Sequence, residues 1–334
     1  MLIVRDSQVK KLFYKEQEID KILDWNGNVV FEKESAPTMT NTIKFHTNSS
    51  VSGYKYFTIS YTDSTYNVID YSEPNKQYTA QIPTDKTVNA LDFDSSLVDE
   101  VIVSCKINLS DTFFSTITPN TIRFLNCDAT ASTSLSSVFT SRSKSVKLFE
   151  IRNLDARNAT SMERFFYESS GIESIVMRDL NVAKVTNMSY MFYDCSATII
   201  DIANWNTSSV TNLSNVFDSC KNVAYINLSS LDTSNATTMY EMFQNCTSLV
   251  TLDLSAFNTS KVKEFRYMFW ECNKLTSLDI SGWNITNAEN TNCMFCGCKS
   301  LKTIRMIGCN QTTIDIIKSA LSSDGIYNVT IVTS

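Results

Sequence analysis

Met242-Phe243-Gln244-Asn245-Cys246-Thr247-Ser248-Leu249-Val250-Thr251-Leu252-Asp253-Leu254-Ser255-Ala256-Phe257-Asn258-Thr259-Ser260-Lys261-Val262 decides the fold, because the chain repeats it. Its Met-Phe-x-x-Cys opening recurs at Met191-Phe192/Cys195, Met268-Phe269/Cys272 and Met294-Phe295/Cys298, with Val216-Phe217/Cys220 as a variant. The five cysteines are spaced 25, 26, 26 and 26 residues apart. Each is followed by a Leu-x-x-Leu-x-Leu spacing, as at Leu275, Leu278 and Ile280, and then by a Thr/Ser-rich bend. Working outward, the central apolar position runs through Val101, Leu125, Phe149, Ile175, Ile200, Ile226, Leu252, Leu278, Ile304 and Val329. Phe114, Phe139 and Phe166 fill the Met-Phe slot of the earlier copies. Self-similarity at one period over residues 90–334 predicts about ten coils of a solenoid.

The physics of one copy supports that reading. Leu-x-Leu places alternate side chains inward on a short strand. Met-Phe-x-x-Cys supplies the opposite wall of a core that no single repeat can bury alone. The expected class is mainly β with short helical or irregular segments: a leucine-rich-repeat solenoid preceded by a small antiparallel β module. The division is 1–36 as an N-terminal segment, 37–89 as the β module or an N-terminal cap, 90–310 as the solenoid and 311–334 as a C-terminal cap. Thr312-Thr313 is expected to open a short helix, Ile314 to Leu321, followed by a last strand from Ile326 to Val332. The Tyr-rich alternation of 38–88 reads as antiparallel strands. Three β-like runs occupy the first segment, Val9 to Tyr14, Ile19 to Leu23 and Val29 to Phe31, with a turn at 25–28.

Composition agrees. Ser, Thr and Asn number 109 of 334 residues, yet 43% of the chain is hydrophobic, so the polar residues belong to a folded protein. Only 7 glycines are present. Asn206, Asn258 and Asn284 are expected to take the special turn positions instead, since Asn accepts left-handed or side-chain-bonded turns. With 29 Lys and Arg against 35 Asp and Glu, and no basic run longer than Lys10-Lys11, nucleic acid is not an expected partner. No apolar stretch is long enough to span a membrane, and residues 1–6 do not begin a secretory leader.

The repeats resemble the BspA-like leucine-rich repeats. The likeness lies in Trp205-Asn206-Thr207-Ser208-Ser209-Val210-Thr211-Asn212-Leu213-Ser214, in Met242 to Leu249, in Leu252-Asp253-Leu254-Ser255 and in Phe257 to Val262. It is specific over 181–309 and degenerate over 90–180. Such repeats occur in bacterial surface antigens, mycoplasmal lipoproteins, protist surface proteins and some phage proteins. The resemblance implies adhesion or protein binding and transfers no catalytic residue. Ile19 to Glu32 is similar to short N-terminal segments of tailed-phage structural and fibre proteins. That likeness implies a docking segment carrying Leu12, Tyr14, Ile22, Trp25, Val30 and Phe31.

Chemistry-bearing residues are few. His46 is the only histidine and lies in a strand-like run, which leaves little room for imidazole catalysis. Cys195, Cys220, Cys246, Cys272 and Cys298 share one repeat position and are expected to form a reduced, buried ladder, with Ser169 one coil earlier. Cys293, Cys296, Cys298 and Cys309 have the only metal-like spacing. Because Cys298 belongs to the ladder and Met294-Phe295 to the core, neither a metal nor another cofactor is assigned. The position between the strand apolars reads Asp201, Asn227, Asp253 and Asp279, with Ser229, Ser255 and Ser281 beside it. Stacked, these residues make a candidate binding strip facing outward.

The expected function is therefore recognition rather than catalysis. The lead expectation is a phage virion component, a fibre or a head or tail decoration. It would contact other virion proteins through residues 1–36, and a host surface protein or glycan through the solenoid, either as one chain or as a homo-oligomer. The second is a bacterial cell-surface adhesin. A remote third is a carbohydrate-active enzyme with a site in residues 38–88, a region that offers one histidine and few acids, Asp63, Asp70 and Glu73.

Overall fold

The computed structural model describes residues 2–6, 9–13, 21–23, 29–32, 39–53, 55–114, 119–140 and 146–334. The chain divides into two compact units, residues 1–38 and 39–334. In the first, β1 (Leu2–Asp6) pairs antiparallel with β2 (Val9–Phe13), and β3 (Lys21–Leu23) with β4 (Val29–Glu32). Leu12 lies on β2, Ile22 on β3, and Val30 and Phe31 on β4. Tyr14 and Trp25 fall outside the described residues.

The second unit opens with β5 (Thr42–Thr47), β6 (Lys55–Tyr61), β7 (Tyr66–Tyr71), β8 (Gln77–Gln81) and β9 (Val88–Phe93). These form antiparallel pairs β5–β8, β6–β7 and β6–β9. The aromatic alternation packs between them: Phe45 stacks on Phe57 at 4.3 Å and Phe57 on Phe93 at 4.7 Å. His46 sits on β5 opposite Gln77 of β8.

Coiling starts at β10 (Val98–Ser104), whose one edge takes β5 antiparallel and whose other takes β11 (Thr121–Asp128) in parallel. Then follow β12 (Leu148–Asp155), β13 (Ser174–Asn181), β14 (Ile199–Asp201) and β15 (Tyr225–Asn227). A second parallel sheet holds β16 (Thr251–Asp253), β17 (Ser277–Asp279), β18 (Thr303–Arg305) and β19 (Thr330–Val332). The result is a mainly β solenoid of about 8 turns with an antiparallel sheet on its N-terminal side. The two outermost of the ten strands belong to the ends: β10 borders the antiparallel strands, and β19 is reached through the helix α1 (Gln311–Ser323).

The register corrects two positions of the apolar column. Val101 faces Ile122, not Leu125, and Ile122 faces Phe149; Leu125 lies opposite Arg152 and is only half-buried. At the end of the chain Ile304 pairs with Ile331 rather than Val329. Elsewhere the column is as the repeat requires: Phe149, Ile175, Ile200 and Ile226, then Leu252, Leu278 and Ile304.

The helix is also longer than its apolar spacing suggests. Its N-cap is Asn310, whose side chain accepts from the Thr313 N–H at 2.8 Å. Thr313 is buried, and its hydroxyl accepts from the backbone N–H of Ile285 at 3.1 Å, which ties the cap to the last coils. Ile314, Ile317 and Leu321 face inward. Among the described residues, no helix is long and apolar enough to cross a membrane.

Candidate functional site

Three surfaces of the coil carry side chains with chemistry, and each is set by one column of the repeat. The wall opposite the strands is built by the Met-Phe-x-x-Cys segment. Phe139, Phe166, Phe192, Phe217, Phe243, Phe269 and Phe295 stack in sequence with ring centroids 5.3–5.8 Å apart. Beside them the thiols of Cys220, Cys246, Cys272 and Cys298 donate to the carbonyls of Phe192, Phe217, Phe243 and Phe269 in the preceding coil, at 2.9–3.2 Å. Ser169 repeats the bond with its hydroxyl to Phe139 at 3.0 Å. All five ladder cysteines are free and buried. Burial pushes their thiols up, those of Cys195 and Cys272 to about 12, so they donate as neutral S–H groups. This column is structural and offers no thiolate nucleophile at neutral pH.

The strand-side strip is less open than its alternation suggests. Asp201 is 1% exposed; Arg178 Nε donates to its Oδ2 at 3.0 Å and Asn227 Nδ2 to its Oδ1 at 3.0 Å. It is a buried ion-pair member rather than an outward ligand, which corrects the strip at its first residue. The cause is that Arg178, in the preceding coil, lays its guanidinium across the carboxylate. Asn227, Asp253 and Asp279 each turn an Oδ1 back to the backbone N–H two residues on, at Ser229, Ser255 and Ser281. Ser229 and Ser255 add their hydroxyls to the same oxygens. Arg305 Nε donates to the other oxygen of Asp279 at 3.0 Å. Ser229, Asp253 and Ser255 are exposed, while Asn227, Asp279 and Ser281 are half-buried. The upstream part of this face is likewise an ion-pair row, with Arg123 between Glu100 and Glu150. Much of the expected acidity is thus spent within the protein.

Sequence reading missed the third surface. The residues immediately before and after each Met-Phe pair line the outside of the turn, exposed or half-buried except at Asn215 and Asp218. Before it stand Arg164, Tyr190, Asn215, Glu241, Tyr267 and Cys293, every one in left-handed backbone with φ between 51° and 59°. After it stand Tyr167, Tyr193, Asp218, Gln244, Trp270 and Cys296. Together with Tyr240 and Arg266, each two residues before a Met-Phe pair, they form two aromatic–cation clusters. In the first, Arg164 lies over Tyr190 at 5.3 Å and Tyr167 at 5.7 Å, and Tyr167 stacks on Tyr193 at 4.9 Å. In the second, Arg266 lies over Tyr240 at 4.9 Å and Tyr267 at 5.3 Å, with Trp270 5.8 Å from Tyr267 and 37% exposed. Between them Asp218 is buried, accepting from Asn215, Ser219 and Gln244. Burial, with help from nearby Glu241, pushes its carboxyl up to about 6. The signal was present in the sequence as Tyr, Trp or Arg flanking Met-Phe, but the apolar frame drew attention to the pair itself.

The remaining candidates separate. Cys298 is held in the ladder, and Cys309 Sγ donates to the Ile280 carbonyl at 3.3 Å, so the four-cysteine set does not converge. Cys293 and Cys296 instead come together with Asp324. Near the N-terminal sheets, Asp63 is paired with Lys86 and Glu73 with Lys76. The hydrogen bond from Lys86, then those from Thr65, hold the Asp63 carboxyl down to about 2. Each of these acids has its own cation partner, which is not the arrangement of two carboxylates facing across a sugar.

These features define a repeat solenoid whose ladders are internal and whose side-chain chemistry is displayed on its turns. Residues 133–224 and 195–307 match the family described as Mycoplasma protein of unknown function, DUF285, and together these matches span just over half of the chain. The protein belongs to that repeat family. No curated protein matches it.

Proposed function

We propose that the protein is a non-enzymatic recognition solenoid, displayed on a surface, that binds a partner protein through its turn face. The observation that carries this reading is the pair of Tyr–Arg clusters, at Arg164/Tyr167/Tyr190/Tyr193 and at Tyr240/Arg266/Tyr267/Trp270. Tyr, Trp and Arg are the side chains that dominate protein-interface energetics, and here they are pre-stacked, so little rotamer freedom is lost on contact. The strand face is the weaker surface, because its carboxylates are already engaged by Arg178, Arg305 and local backbone N–H groups.

The bearer of that surface is proposed in two forms. The likeness of the repeats to BspA-like repeats, which occur in bacterial surface antigens, favours a bacterial cell surface. The likeness of Ile19 to Glu32 to phage fibre segments favours a virion, docked through residues 1–36 and facing a host protein or glycan. Immunodetection in purified particles against washed cell envelopes separates the two. Recognition itself is tested with the purified full chain on host cells and on a glycan array. Tyr193→Ala combined with Trp270→Ala is expected to remove binding while Asp253→Lys leaves it unchanged. The reverse order would move the contact to the strand face, and loss from neither would overturn the proposal.

A further inference from the structure

The coil that meets the C-terminal helix departs from every earlier copy at two places. Where preceding coils carry Tyr190 and Tyr193, Asn215 and Asp218, Glu241 and Gln244, or Tyr267 and Trp270 around the Met-Phe pair, this one carries Cys293 and Cys296. Asp324, the C-cap of α1, reaches the same point. Its Oδ2 accepts from the backbone N–H of Phe295 at 2.8 Å, which fixes the carboxylate and leaves Oδ1 beside the thiols, 3.4 Å from Cys296 Sγ. The two sulfurs and a carboxylate oxygen all lie within 4.8 Å of one another, and the three residues are half-buried.

We propose that Cys293, Cys296 and Asp324 form a site for a thiophilic divalent cation of the zinc class, and that the ion fastens the end of α1 to the last Met-Phe coil. Tetrahedral zinc, with bonds of about 2.3 Å to sulfur and about 2.0 Å to oxygen, places such ligands roughly 3.5 Å apart, close to the separation seen between Cys296 and Asp324. A carboxylate whose second oxygen is already held by a backbone N–H is oriented as metal-ligating groups are. The fourth position is open to water or to a donor from outside the chain. Cys298 and Cys309 take no part, because each thiol is committed to a carbonyl. Because both cysteines bind as thiolates, loading the site releases their protons, so affinity falls as the pH is lowered.

The test uses the full chain, reduced and freed of metal, titrated with zinc and separately with cobalt(II). The expected result is one ion per chain, a thiolate-to-cobalt charge-transfer band, and a rise in the unfolding midpoint on adding zinc. Cys293→Ser and Cys296→Ser should each remove the band and the rise. Asp324→Asn should weaken binding at least about 10-fold, and Cys309→Ser should change nothing. Circular dichroism of the serine variants establishes that they fold. Failure of the reduced, folded chain to bind either ion would overturn the proposal, as would binding that survives the Cys293→Ser/Cys296→Ser double variant.

Discussion

Residues 121–181 and 199–305 build the same coil by two different means. In the first region β11, β12 and β13 are 8 residues each; in the second, β14 to β18 are 3 each. The early strands turn their corner at Asn126, Asn153 and Asp179, with φ of 53° to 58°; the pairing skips these residues and resumes in the same register beyond them. The late strands stop and close a tight turn, with Leu231 N–H donating to the Leu228 carbonyl and Phe257 N–H to the Leu254 carbonyl. One turn further on, early coils join backbone to backbone, Ala129 N–H to Asp155 and Ala156 N–H to Asn181. Late coils insert a buried threonine. Thr207, Thr233 and Thr259 each accept from and donate to the main chain of a single residue in the next coil, Asp232, Asn258 and Asn284. The same main-chain groups are satisfied either by an alanine small enough to let coils touch or by a hydroxyl that bridges a wider gap. Repetition in sequence and continuity of strand are therefore different properties: the degenerate half has the longer strands.

The largest effect that tests this contrast comes from the phenyl stack. Phe217 has one ring on either side, Phe192 and Phe243, whereas Phe166 also meets Phe139, Phe149 and Phe165. Phe217→Ala leaves a hole with few neighbours able to move in and is expected to cost about 4–5 kcal/mol; Phe166→Ala should cost nearer to about 3 kcal/mol. Urea midpoints of the two variants measure the difference, and equal losses would mean the halves are packed alike.

A pH effect should follow, confined to the regular half. Asp218 stands where earlier coils have Tyr167 and Tyr193, and burial lifts its carboxyl to about 6. The folded chain therefore holds a proton that the unfolded chain has lost between about pH 4 and pH 6. Stability falls as pH rises through that window and is lowest above it, by on the order of 3 kcal/mol. Protection factors of the amides around 215–246, corrected for the intrinsic pH dependence of exchange, should be higher at pH 5 than at pH 7, and Asp218→Asn should flatten the difference. A profile rising toward pH 7 would contradict the sign.

The threonine bridge gives the next step down. Thr259→Val keeps the volume but strands the Asn284 N–H and C=O, at an expected cost of about 1–2 kcal/mol. Ala156→Thr, the reverse exchange, crowds a site where backbones already touch and should also destabilise, by about 1 kcal/mol. Thermal melts of both variants decide it, and a neutral Thr259→Val would show the hydroxyl to be dispensable.

How much of this was legible follows from what repetition records. The apolar frame, the cysteine column and the terminal helix were visible because burial constrains residue type in every coil. Leu125 and Val329 were misplaced because spacing alone slides along a degenerate copy, where Arg152 rather than an apolar residue faces Leu125. Asn206, Asn258 and Asn284 do hold turns, but by accepting from the N–H two residues on rather than by adopting positive φ. Left-handed backbone falls instead to other asparagines, among them Asn126, Asn153, Asn204, Asn215 and Asn245, and also to Arg164, Tyr190, Glu241 and Tyr267, whose side chains give no hint of it. Asp201 read as exposed because alternation cannot foresee an arginine one coil away.

The smallest expected effect concerns the column that both halves share. Ser169 holds in the early half the bond that cysteine holds in the late half, 3.0 Å to Phe139 against 3.2 Å from Cys246 to Phe217. If the donor to the preceding carbonyl is what the slot requires, Cys246→Ser should stay within about 1 kcal/mol of the parent, since one hydrogen bond replaces another. Cys246→Ala, apolar and similar in size, should be the worse of the two in urea because it removes the donor. The Phe217 carbonyl keeps a second partner in the Cys220 N–H, which limits that loss to about 1 kcal/mol. An alanine variant more stable than the serine variant would mean that sulfur serves here only as apolar filling, and that Ser169 marks a true difference between the halves.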